Sequence, residues 1–126
     1  MTPLLLVAVA IAGGLGAAAR FALDGAIRSR RTAALPVGTI AINLSGSFVL
    51  GLVIGLATAA VLRDPVRAVV GTGFLGGYTT FSAASLETVR LIAGRRPALA
   101  LANAVAVPLA AVLLAASGLA LGRLAG

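Results

Sequence analysis

The residues best suited to chemistry in this chain are polar groups inside hydrophobic segments. The run GGYTT at residues 76–80 interrupts one apolar stretch, and Asn43 lies within another. Backbone that leaves a helix at membrane depth presents carbonyl and amide groups that have no water to bond. Free carbonyls at the end of one helix suit a cation such as sodium, and free amides at the start of the next suit an anion. The alternative is a glycine kink that packs against a neighbouring helix.

Four further side chains follow this run along the sequence. Phe81 either packs, as most aromatic residues in spans do, or turns the positive edge of its ring towards an anion. Ser82 and Ser85 either offer hydroxyl donors or bond back to their own helix. Glu87 is an ionisable residue inside an apolar segment, which is a functional hypothesis by default. The alternative for Glu87 is a side chain that extends to the membrane surface.

The composition is that of a membrane protein. The chain has 126 residues, of which 60% are hydrophobic and 10% are charged, whereas soluble domains carry about 25% charged residues. It has no cysteine and no histidine, which excludes disulfides, Cys/His metal sites and histidine acid–base chemistry. Since there is no nucleophile–base pair or metal cluster, we expect that the chain is not an enzyme.

Four apolar segments set the predicted fold. They cover about residues 3–23, 36–62, 66–92 and 97–121, and each reaches the ~20 residues that a spanning helix needs. We therefore predict an all-α integral membrane protein, a single four-span unit over 1–126, with a third helix broken in mid-membrane. The first linker is predicted at residues 24–35. Four thin helices rarely enclose a pore alone, so we expect self-association or a partner subunit.

The arginines indicate an orientation in the membrane. The formal net charge of +7 comes from ten arginines and three acids, and the arginines cluster between the apolar segments. That pattern indicates membrane topology and not a nucleic-acid surface, so no nucleic-acid partner is expected. By the positive-inside rule, the first linker and the third linker, at residues 93–96, face the cytoplasm, because seven arginines lie on that side and three on the other. The seven are Arg20, Arg28, Arg30, Arg31, Arg90, Arg95 and Arg96; the three are Arg63, Arg67 and Arg123.

The second span carries a ridge of small and polar residues at every fourth position: Thr39, Asn43, Ser47, Gly51 and Gly55. Such positions lie along one side of a helix. Gly51 and Gly55 form a GxxxG pair, which lets another helix approach closely and predicts a packing seam. Asn43 must find partners at this depth, and two interpretations stay open: an interhelical hydrogen bond, or an amide donor that faces an anion.

Three motifs together resemble one family. They are GGLGAAARF at residues 13–21, PVGTIAINLSGSFVLG at residues 36–51 and GFLGGYTTFSAASLE at residues 73–87. In this order and spacing the chain resembles the Fluc (CrcB) family of fluoride-specific ion channels. The resemblance implies antiparallel, dual-topology-type dimers of four-span subunits, with two narrow pores along the subunit interface. It also implies passive exit of fluoride through the cell membrane, which lowers its toxicity in the cytoplasm.

The resemblance also assigns residues to an ion site and a pore. A structural sodium ion near the two-fold axis would be held by the main-chain carbonyls of Gly77 and Thr80. Asn43 and Phe81 fall on the pore asparagine and the first pore phenylalanine of the family.

Other family positions are matched by a second set of polar residues. The Thr79 hydroxyl and Ser82 fall on polar pore or break positions, and Ser85 extends the same path. Arg20 falls on the arginine of the first-span motif. Together with Glu87, Thr39 and Ser47, it is expected in a vestibule or in a structural role.

The chain departs from the family pattern at two places. The family motif usually reads TTFSTFS, but here Ala84 replaces the second phenylalanine, and Ala83 replaces the threonine before it. In the fourth span Asn103 is retained, but the positions that follow it are mainly apolar: Val105, Val107, Pro108, Ala110 and Ala111.

These departures and the seven-to-three arginine bias favour a heterodimer. In this alternative, the chain is a non-conducting or half-functional subunit that pairs with an oppositely oriented paralogue. A scaffold subunit also stays open. A small proton-coupled drug exporter is disfavoured, because the first span has no carboxylate.

Overall fold

The computed structural model describes all 126 residues and is entirely helical. Helix α1 covers Pro3–Arg30 and α2 covers Val37–Thr58. Helix α3, residues 64–78, consists of Asp64–Arg67, a wider π-helical segment Ala68–Leu75, and Gly76–Tyr78. Helix α4 covers Ser82–Ala93, and α5 covers Pro97–Leu124 with a second π-helical segment at Ala102–Ala106.

Three of these helices are long and apolar enough to cross a membrane: α1, α2 and α5. Only 18 of the 126 residues are buried within the chain, so most apolar side chains face outwards. Lipid can cover such a surface because it solvates apolar side chains as well as a protein core does. The structure therefore confirms an all-helical architecture with membrane-spanning helices.

Helix α1 differs from the prediction at its C-terminal end. Residues 24–30 were predicted to begin a linker, but they continue the helix as far as Arg30. An ion pair of 3.0 Å between Arg28 and Asp24, one turn apart, supports this extension. Basic residues in the last turn also favour it, because they lie near the negative end of the helix dipole. The linker therefore contains only residues 31–36.

Glycines bring α2 and α5 into backbone contact. A Cβ built on Gly51 would overlap the carbonyl oxygen of Ala115, and one built on Gly118 would overlap the carbonyl oxygen of Phe48. Gly55 faces Leu119 in the same way. Gly51 and Gly55 therefore lie in the packing seam that their GxxxG spacing predicts.

A second glycine contact joins α1 to the end of α3. A Cβ on Gly77 would overlap the carbonyl oxygen of Gly13, and one on Gly16 would overlap the carbonyl oxygen of Phe74. These close backbone approaches place the C-terminal end of α3 directly against the middle of α1. This contact places Gly77 and the residues after it at the site described below.

Candidate functional site

The chain leaves the helix between Tyr78 and Ser82. Thr79 is extended, with φ −81° and ψ 156°, and its amide and hydroxyl both donate to the carbonyl of Leu75 at 2.9 Å. After the interruption, the amide of Ala83 donates to the hydroxyl of Thr80 at 3.2 Å, which caps the start of α4. The threonine hydroxyls thus provide hydrogen bonds to backbone groups at the end of α3 and at the start of α4.

Asn43 of α2 supports the interruption directly. Its Nδ2 donates to the carbonyl of Thr80 at 2.7 Å, and the amide of Thr80 donates to its Oδ1 at 2.8 Å. One side chain therefore satisfies both backbone groups of a non-helical residue. Asn43 therefore has a structural hydrogen-bonding role that joins α2 to the interruption, and its amide keeps a second N–H for another acceptor.

A groove of about 500 Å³ runs beside this pair, between α2, α4 and α5. We call it the α2–α4–α5 groove. It brings together six of the residues singled out from the sequence: Asn43, Ser47, Thr79, Thr80, Phe81 and Ser85. The remaining lining residues are Leu50, Ala84, Thr88, Asn103, Ala104, Val107, Pro108 and Ala111. Phe81 is 86% exposed, so its ring lies at the open side of the groove.

Asn103 and Thr88 complete the polar lining. Asn103 is 4% exposed, and its Nδ2 donates to the Thr88 hydroxyl at 2.8 Å and to the carbonyl of Ala84 at 3.3 Å. Asn103 was noted only as a retained polar residue, and Thr88 was missed. The argument that singled out Asn43, a primary amide inside an apolar span, applies equally to Asn103.

Five of the predicted site residues lie outside this groove: Arg20, Thr39, Gly77, Ser82 and Glu87. Ser82 is exposed, and its hydroxyl is 3.3 Å from that of Thr80. Gly77 faces α1, where its carbonyl accepts a hydrogen bond of 3.3 Å from Nε of Arg20. Arg20 therefore joins α1 to the end of α3.

Glu87 and Thr39 lie at another point of the bundle. Glu87 is 7% exposed, and its Oε1 accepts from the Thr39 hydroxyl at 3.0 Å and from Arg28 at 3.1 Å. The carboxylate is therefore buried between three helices and does not extend to the surface. Its Oε2 has no hydrogen-bond partner within the chain.

The long apolar helices and the buried polar groups define the class: a multi-pass membrane protein. A family model described as CrcB-like protein, Camphor Resistance (CrcB), matches residues 7–119. The chain belongs to this family.

Relatives share most of the chain. One, from Leifsonia xyli subsp. xyli, is named fluoride-specific ion channel FluC 1. It is 56% identical over 125 residues, which are 99% of this chain and 91% of that protein. A FluC 2 from Cutibacterium acnes is 45% identical over 119 residues, covering 90% of this chain and 94% of that protein. A FluC from Magnetococcus marinus is 41% identical over 117 residues, covering 92% of this chain and 95% of that protein. The predictions of a membrane location and of a non-enzymatic role are confirmed by this family of ion channels.

Proposed function

We propose that this chain is a subunit of a fluoride-selective passive channel, through which fluoride leaves the cytoplasm. The observation that carries the proposal is that Asn43, Phe81 and Ser85 line one groove. The names of the relatives support fluoride as the ion.

The groove offers the kind of donors that a small, strongly hydrated anion needs. A pore that selects fluoride must replace its hydration shell with closely placed donors, and selectivity then depends on their number and direction. Asn43 keeps one free N–H, and the hydroxyls of Ser47 and Ser85 lie along the same groove. No arginine lines the groove, so nothing there binds the anion too firmly for release.

The assembly we propose is an antiparallel dimer of four-span subunits. The third span would consist of α3 and α4 with the interruption between them. The groove is open on one side, and the exposed Phe81 ring lies at that side. A second subunit would close the groove and turn it into a narrow pore.

A structural sodium ion fits the donor chemistry of this site when the second subunit is included. The carbonyl oxygens of Gly77 and Thr80 are hard donors, and each keeps a lone pair beyond its bond to Arg20 or Asn43. Two carbonyls cannot enclose a cation, so the dimer would need to supply the other ligands. When bound, the ion would neutralise carbonyl dipoles and join the two subunits.

Fluoride efflux from liposomes that contain only this chain tests the proposal. We expect fluoride release that depends on an ionophore to balance charge, with no release of chloride. The Asn43→Ala variant should lose most of this flux. Ser117→Ala, which changes an exposed serine on α5 that bonds only to its own helix, should keep it.

A second candidate is a partner subunit of a heterodimeric fluoride channel. It is favoured by Ala84, Val107 and Ala111, which make part of the groove lining apolar. Under this alternative the chain alone would release little fluoride. Co-expression with an oppositely oriented paralogue would then restore fluoride tolerance to a fluoride-sensitive cell, whereas neither chain would do so alone.

A further inference from the structure

A second cavity, of about 390 Å³, lies where the C-terminal ends of α1 and α4 meet the linker before α2. It is separate from the α2–α4–α5 groove, with which it shares no lining residue. Its volume falls in the range of about 300–1,000 Å³ that is usual for small-molecule sites. We call it the arginine cavity, because four arginines line it: Arg28, Arg31, Arg90 and Arg96.

The charges in the arginine cavity do not balance. Arg28 is paired with both carboxylates of the lining, with Asp24 at 3.0 Å and with Glu87 at 3.1 Å. The other three arginines form no ion pair within the chain. Four positive and two negative side chains leave a net charge of +2. Such a cavity attracts a group that carries negative charge and presents several acceptor oxygens.

The three unpaired arginines come from different parts of the chain. Arg31 follows α1, Arg90 lies in the last turn of α4, and Arg96 precedes α5. A preference of arginine for the C-terminal end of a helix explains Arg31 and Arg90, and the positive-inside rule explains why arginines lie on this side of the membrane. Neither preference explains why arginines from three segments line one concavity. Binding of a phosphate by several arginines does explain it.

The remaining lining of the arginine cavity is largely apolar. It includes Ile27, Leu35 and Leu91, and it lies at one end of the apolar spans. A phospholipid has the same division, with a charged phosphate next to an apolar glycerol ester and acyl chains. Neither free phosphate nor fluoride would gain from the apolar side.

We infer that the arginine cavity binds the phosphate of an anionic phospholipid headgroup at one membrane surface. Arg31, Arg90 and Arg96 hold the phosphate. Ile27, Leu35 and Leu91 contact the first part of the acyl chains. The Asp24–Arg28–Glu87 cluster forms the inner wall and keeps Arg28 out of the phosphate site. Basic pockets at this depth bind anionic headgroups in other membrane proteins.

Retention of lipid by the full chain tests this site. The chain is reconstituted in matched mixtures of phosphatidylglycerol and phosphatidylcholine with identical acyl chains, then extracted in mild detergent, and its bound lipid is measured by native mass spectrometry. We expect selective retention of phosphatidylglycerol. One basic residue near an anionic lipid contributes about fivefold in affinity, so Arg31→Gln/Arg96→Gln should lower retention on the order of 30-fold.

The matched control removes the same charge from the other end of the molecule. Arg63→Gln/Arg123→Gln changes two exposed arginines that line none of the cavities described here, and it should leave retention unchanged. Equal loss in both double variants, or equal retention of phosphatidylcholine, would overturn the site. If Arg31→Gln/Arg96→Gln does not fold, Arg90→Gln alone replaces it, with about fivefold loss expected.

Two further arms separate the lipid from other anions. Millimolar inorganic phosphate should not displace the retained phosphatidylglycerol, and displacement would assign the cavity to a free anion. In phosphatidylcholine liposomes, Arg31→Gln/Arg96→Gln should keep the wild-type rate of fluoride release. A lost rate together with unchanged lipid retention would make the cavity part of the ion pathway and overturn the lipid site. The lipid site does not depend on the proposed channel function, because retention is measured without ion flux.

Discussion

The side chain of Asn43 and the backbone of Thr80 form a closed pair of hydrogen bonds, at 2.7 and 2.8 Å. This pair allows the chain to stay non-helical at the interruption, because both polar groups of the Thr80 residue are satisfied. Asn43 also lines the α2–α4–α5 groove, and its amide keeps a second N–H. The same residue thus supports the interruption and contributes to the proposed anion path.

Removing the amide should therefore affect both stability and flux. Interhelical hydrogen bonds in membrane proteins contribute about 0.6–2 kcal/mol each, so we expect Asn43→Ala to destabilise the fold by about 1–4 kcal/mol. The thermal unfolding midpoint in detergent measures this. Ser45→Ala is the matched control on α2, because it removes an exposed contact of 3.1 Å with Tyr78 and a bond of 3.1 Å to the carbonyl of Ile42 in its own helix. An unfolding midpoint lowered equally by both changes would contradict the special role of the Asn43–Thr80 pair.

Replacing a glycine with alanine should lower stability only where the glycine lies in a helix–helix contact. Gly51→Ala places a Cβ on the backbone of Ala115, so α2 and α5 must separate, and we expect a lower unfolding midpoint. At Gly14 nothing lies within 4 Å of a built Cβ, so Gly14→Ala should leave the free energy of unfolding unchanged or raise it by up to about 1 kcal/mol through helix propensity. A tolerated Gly51→Ala would show that the two helices do not touch as described.

The Arg28–Glu87 ion pair should contribute more to the free energy of unfolding than an exposed ion pair does. This pair is buried only at its acidic end, because the Glu87 side chain is 9% exposed and that of Arg28 is 60% exposed, whereas the side chains of Arg67 and Asp64 are 52% and 87% exposed. Exposed pairs contribute about 0–1 kcal/mol, and removing one partner of a buried pair leaves an uncompensated charge. We expect Arg28→Gln to destabilise more than Arg67→Gln, and Arg28→Gln/Glu87→Gln to recover part of the loss. Stability measured by chemical denaturation in detergent tests this, and additive single effects would refute the coupling.

Restoring an aromatic ring should separate the two versions of the proposed function. Ala84 lines the groove and Ala83 does not, so Ala84→Phe adds a ring edge to the path and Ala83→Phe is its control. If the groove is an incomplete pore, Ala84→Phe alone should raise fluoride flux in liposomes. A faster flux with Ala83→Phe would show that the effect does not depend on the groove. A block by Ala84→Phe with a fully active wild type would mean that the pore is complete without the second ring.

The sequence predicts the features that depend on residue type and spacing. The GxxxG seam at Gly51 and Gly55 and the need of Asn43 for hydrogen-bond partners were predicted from small or polar residues in an apolar span. The extension of α1 to Arg30 was not predicted, because charged residues mark the end of an apolar segment but do not end a helix. The burial of Glu87 depends on Arg28, 59 positions away in the sequence, and such a contact becomes visible only when α1 and α4 are packed together.

Fluoride flux through the isolated chain tests the central claim most directly. The full chain is purified, reconstituted into liposomes loaded with potassium fluoride, and opened with a potassium ionophore while a fluoride electrode records release. The account predicts release of fluoride far above protein-free liposomes, and none of chloride under the same gradient. It also predicts that Asn43→Ala abolishes most of the release. Equal release of chloride and fluoride, or the same fluoride release from Asn43→Ala as from wild type, would contradict it.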